Sequence, residues 1–152
     1  MLSPLVYANT IIKRSLQTDV PVSPLKLQKL LYFLYAYYYS VNEQPLFAAN
    51  FEKWKYGPVV SEVYQAFQKY GGNRITDFAY DCNGKVTVID ERHQAFSECL
   101  QAVWSKYGNY TGNELSTLTH GEGTAWSKAE GPFLKIEDIK EDGRHFFGQN
   151  SA

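Results

Sequence analysis

Leu5, Val6, Ala8, Ile11 and Ile12 recur near helical spacing behind Pro4, a pattern that predicts a first helix over residues 4–16. Val20-Pro21-Val22 interrupts it. Ser23-Pro24 restarts the signal, with Ser23 placed to accept a hydrogen bond from an orphan amide and Pro24 suited to the first helical position. The second helix should run from 24 to about 41. Its main stripe is Leu27, Leu30, Leu31, Leu34, Tyr38 and Val41, while Leu25, Tyr32, Phe33, Ala36 and Tyr39 occupy much of the remaining circumference. A helix apolar nearly all round is central or shared with a partner. Lys26, Gln28 and Lys29 read as scattered polar groups on a solvated face of it.

Phe47, Ala49 and Phe51 alternate with smaller or polar positions, so the approach to Trp54 reads as a short extended segment. Pro58 fits the first position of a third helix with Val60, Val63, Tyr64 and Phe67 on one face and Gly71-Gly72 as its stop. Asn83-Gly84, between FAYDC and KVTVI, has the composition of a tight hairpin within residues 75–89. Asp90 is placed to cap a fourth helix over 91–107, which carries Cys99 in its apolar stripe and stops at Gly108. Thr111 and Glu114 form a capping-box pair before a short fifth helix, and IEDIKEDGRHFFG reads as a last, acidic helix. The fold class expected is mainly α, a compact single-domain helical bundle over residues 1–152 with a small antiparallel β element.

Composition changes this picture in one respect: 16% of the residues are aromatic, with 12 Tyr and 9 Phe. The tyrosines at 32, 35, 37, 38 and 39 cannot all face one core from a single helix, so Tyr35, Tyr37 and Tyr39 are candidate partner-binding residues. The net charge of −1 hides an asymmetry, about +4 in residues 1–74 and −5 in 75–152. Neither half has the dense Lys/Arg block of a nucleic-acid footprint, so direct nucleic-acid binding is not expected. No run reaches transmembrane length and the first 15 residues lack the form of a signal peptide, which makes the cytoplasm the expected location without membrane contact. Cys82 and Cys99 have no CxxC spacing and read as free thiols.

Candidate chemistry is sparse. His93, His120 and His145 lie far apart without a metal-binding frame, and no glycine-rich loop with a lysine is present, so neither metal nor cofactor is expected. His120-Gly121-Glu122 is the pair best suited to acid–base work. The alternative is that His120 terminates the fifth helix, where the dipole favours a cation.

LQKLLYF at 27–33, WKYGPV at 54–59 followed by VYQAFQKYG, and LSTLTH at 115–120 followed by Trp126 together resemble the Panacea domain. This is the SocA-like antitoxin family, which includes phage-associated proteins of the GepA type. The resemblance covers most of the chain. It implies a mainly helical domain with a small β element that neutralises a toxin encoded beside it, usually by direct binding. One branch delivers its toxin to a protease, which adds a protease or chaperone as a further partner. Some relatives carry an added DNA-binding segment, which is not expected in a chain whose motifs begin so early. The family has no established catalytic residues. Its motif residues here, Leu30, Tyr32, Phe33, Trp54, Tyr56, Gly57, Pro58, His120 and Trp126, are expected chiefly to hold the fold. Two classes of function stay open: a toxin-binding antitoxin, and a small enzyme acting through His120, Glu122 and Tyr56 on a small or nucleotide substrate.

Overall fold

Helix α2 (Pro24–Asn42) forms the axis of the molecule, and the other elements are arranged around it in a computed structural model that describes residues 1–148. Before it comes α1 (Pro4–Thr18). After it come β1 (Glu52–Trp54), β2 (Gly57–Val59), α3 (Ser61–Phe67), a 3-10 turn (Gln68–Tyr70), α4 (Gln94–Tyr107), α5 (Gly112–Thr119), α6 (Ala125–Lys128) and α7 (Ile136–Phe147). The fold is mainly helical with a small antiparallel β element, as the pattern predicts. Helix starts follow their local signals: Ser3, Ser23 and Thr111 each accept a hydrogen bond from a first-turn amide, and Thr111 and Glu114 complete a capping box.

Leu27, Leu30, Leu31, Tyr32, Phe33, Leu34, Tyr35 and Ala36 are all buried, so α2 is covered on every side over these residues, whereas Val41 of its expected stripe is 51% exposed. Helices α1, α3, α4, α5 and α7, with β2, pack against it. The closest approach is to α7. A Cβ on Gly143 would lie 2.2 Å from the Ala36 carbonyl oxygen, so only glycine permits this crossing. The same junction holds a buried polar link in which the Tyr32 hydroxyl and the Ala125 amide both donate to the Asp142 carboxylate. Burial pushes that carboxyl from 3.8 up to about 6, against the opposing pull of those two hydrogen bonds. Between about pH 4 and 6 the folded state therefore holds the proton more tightly than the unfolded chain. The stabilisation from this group falls as pH rises through that window and is constant above it. Urea midpoints of wild type and Asp142→Asn should diverge between pH 4 and 6; parallel curves would rule this assignment out.

Three local expectations are corrected. Pro58 lies in β2, not at the start of a helix, and α3 begins at Ser61. The reason is remote: Gln28 binds both the amide and the carbonyl of Val60, at 3.0 and 3.1 Å, which holds this segment extended. The β element is β1 paired with β2, not a hairpin at 75–89. Around Asn83-Gly84 a turn does form, held by Asp81. Beyond one backbone bond from the Asp81 amide to the Lys85 carbonyl, its flanks are stitched to α1 and the following loop: Asn9 brackets Ala79, Thr10 accepts from the Ile89 amide, and Val22 accepts from the Ile75 amide. Lastly, α4 starts at Gln94 with His93 as its cap, while Asp90 is taken up by the Arg92 amide and guanidinium. Cys99 is buried in the α4 stripe as expected, and burial pushes its thiol up to about 11.

Candidate functional site

The segment Trp54–Val60 is a turn whose carbonyls are held from other elements. β1 and β2 pair with Glu52 opposite Val59 and Trp54 opposite Gly57, leaving Lys55 and Tyr56 at the tip. Gly57 closes the turn with φ +117, while Lys55 and Tyr56 need no positive φ. Around this tip the Trp126 indole donates to the Trp54 carbonyl at 2.7 Å. The Ser116 hydroxyl donates to the Tyr56 carbonyl at 2.6 Å. Lys29 Nζ donates to the Pro58 carbonyl at 2.7 Å. His120 bridges two elements, with Nε2 at 2.7 Å from the Lys55 carbonyl oxygen and Nδ1 at 2.5 Å from that of Ser116. Its ring also packs on Trp126, 3.9 Å between centroids. A backbone fixed at this many points cannot rearrange without breaking several of these bonds and leaving the buried Pro58 carbonyl unpaired.

Outside this frame the surface is aromatic and cationic. Trp54 meets Tyr64 edge to face at 4.8 Å, Lys53 lies over Trp126, and Lys55 lies over the ring of Tyr56, which is 56% exposed. The arrangement offers contact area and positive charge on a rigid support. It brings Trp54, Tyr56, Gly57, Pro58, His120 and Trp126 together in one place, whereas Leu30, Tyr32 and Phe33 lie in the core.

The acid–base reading of His120, Glu122 and Tyr56 finds no matching geometry. Both His120 nitrogens face backbone carbonyls, Tyr56 turns its ring toward Lys55, and Glu122 is exposed. His120 ends α5, the alternative weighed from the sequence. Among the described residues no three His, Cys, Asp or Glu side chains converge as metal ligands, and no helix is long and apolar enough to cross a membrane.

Of the three candidate tyrosines, Tyr35 does not reach the surface. It is 1% exposed, packed between Phe47 and Phe51, and burial pushes its hydroxyl up to about 12. Tyr37 and Tyr39 are half-buried, with Tyr37 stacked on Phe147 at 4.4 Å. The reading of Lys26, Gln28 and Lys29 as a solvated face is also corrected. All three are buried: Lys26 Nζ donates to the Gly108 carbonyl at the end of α4, and Gln28 and Lys29 hold the turn. The signal that could have found them is their position inside a helix apolar all round.

The family described as "Antitoxin SocA-like, Panacea domain" matches residues 27–127. The chain belongs to this antitoxin family. A curated relative, "Antitoxin SocA" of Caulobacter vibrioides (strain NA1000 / CB15N), is 32% identical over 130 residues, covering 82% of this chain and 69% of that protein. No solved structure matches. The part of this SocA-like chain that matches the family begins at Leu27 and ends one residue after Trp126, so it takes in both the donors to the turn and the turn itself.

Proposed function

We propose that this protein is an antitoxin that neutralises the product of an adjacent gene in the cytoplasm by binding it directly, and not by turnover of a substrate. Membership of the SocA-like family carries this reading. The geometry agrees with it: the polar side chains around the turn are committed to backbone carbonyls, while rings and a lysine face outward. Tyr and Trp at such positions contribute contact area with little ordering cost. Tyr37 and Tyr39 remain proposed partner contacts, without Tyr35.

The test is co-expression with the neighbouring open reading frame. Expected results are toxicity of the neighbour alone, restored growth with this protein, and co-purification of the two. Toxin that persists in the complex marks sequestration, and toxin that disappears until a cellular protease is removed marks delivery. A harmless neighbour, or protection without complex or degradation, overturns the reading.

A further inference from the structure

Residues 131–135 form a third strand-like segment beside β1. The Lys53 amide donates to the Pro132 carbonyl at 2.8 Å, the Leu134 amide donates to the Phe51 carbonyl at 2.9 Å, and Glu52 lies opposite Phe133 as an antiparallel bridge. Those two bonds flank the Glu52/Phe133 pair, so the N–H and C=O of Phe133 point away from β1. No partner takes either group among the described residues. β2 on the far side is closed off, because Lys29, Gln28 and Ser116 hold its carbonyls and those beside it. The small sheet thus has one open edge, at Phe133.

That edge lacks the usual protection. Proteins shield edges with charges, bulges or covering loops, whereas here the central residue is a phenylalanine that is 50% exposed. Pro132 does not block pairing, since its missing N–H falls on the side facing β1. The surface continues beyond the edge. Where the segment ends, at Ile136, lies an open apolar groove of about 470 Å³ lined by Tyr39, Pro45, Phe47, Asn50 and Ile136. Lys135, next to Ile136 in the chain, has no carboxylate partner within ion-pairing distance among the described residues.

We propose that an extended segment of the toxin adds as a strand to the Phe133 edge, placing an apolar side chain in the groove at Ile136 and an acidic one near Lys135. This rests on the antitoxin reading. Main-chain pairing explains the choice of occupant: only an extended backbone satisfies an outward N–H and C=O together, and the groove supplies a pocket for one side chain. The Lys135 cation favours an acid-bearing strand. A second copy pairing through the same five residues would bury far less than the roughly 1,200 Å² of a stable interface.

The experiment uses the full chain and the purified product of the adjacent gene, with hydrogen exchange read at the Phe133 and Lys135 amides. Both should exchange freely in the protein alone and become protected in the complex. Phe133→Pro, which deletes the outward donor and leaves the inward bonds, should weaken binding at least tenfold with an unchanged melting curve. Phe133→Asp, which keeps the amide, serves if the proline variant does not fold, and should also weaken binding. A wild-type complex with both amides still exchanging freely, or full-strength binding by both variants, overturns the edge proposal and leaves the antitoxin reading standing. Absence of any complex with the wild type overturns both. Protection that rises with concentration in the protein alone assigns the edge to a second copy and overturns the toxin strand.

Discussion

Gly57→Val should destabilise the protein by about 3 kcal/mol, the range for forcing a branched residue into a backbone region it rarely adopts together with a steric clash. At Gly57, φ is +117, and a Cβ would lie 2.6 Å from Thr119 Oγ1 and 2.7 Å from Lys29 Cε. Two costs are therefore superposed. Thr119 is buried and its hydroxyl donates to the Ser116 carbonyl, so it cannot swing away freely. Gly57→Ala in a Thr119→Ala background should recover only part of the loss, because removing Thr119 relieves one contact and leaves that with Lys29 Cε and the dihedral strain. Urea unfolding measures both. A Gly57→Val midpoint equal to wild type would show that the turn is not rigid, and full recovery in the double variant would show that the Thr119 contact alone sets the cost.

Lys29 should give the second large effect, and its sign depends on pH. It is fully buried with the Pro58 carbonyl as hydrogen-bond partner, and desolvation lowers its ammonium from 10.5 to about 7. Above pH 7 the unfolded chain binds more protons than the folded one, so the contribution of Lys29 to stability rises with pH from about 7 toward 10.5. Between pH 7 and 9, below the range in which tyrosines ionise, wild type should gain up to about 1.4 kcal/mol per pH unit relative to Lys29→Met. The Met variant retains the packing and should stay close to wild type at pH 7, since it loses one hydrogen bond and the desolvation cost together. Lys29→Ala should lose about 3 kcal/mol at the same pH through the cavity beside Gly57. Identical pH profiles for wild type and Lys29→Met would mean that the ammonium is solvated.

These two residues also mark how far the sequence carries. Gly57 was legible as a motif residue expected to hold the fold, but its neighbours were not, because Lys29 and Thr119 lie 28 and 62 positions away in the chain. The WKYGPV stretch stood out as a motif; that its carbonyls are held by Ser116, His120 and Trp126 did not, since a backbone acceptor leaves no mark in a sequence.

What the sequence determined by itself is what depends on nearest neighbours along the chain. Ser23-Pro24 opens α2, Thr111 with Glu114 opens α5, and the apolar surround of α2 makes it central, because capping and burial patterns act within a turn or two of helix. Tertiary structure alone decided which segments pair and which polar groups turn inward. FAYDC and KVTVI have hairpin composition, yet Asn9 and Thr10 on α1 satisfy Ala79 and Ile89 first. Tyr35 has the same local character as Tyr37 and Tyr39, yet Phe47 and Phe51 close over it. Lys26, Gln28 and Lys29 look like solvated residues until the carbonyls of Gly108, Val60 and Pro58 arrive beside them. In each case a buried backbone or ring must find a partner, and the partner comes from a distant part of the chain.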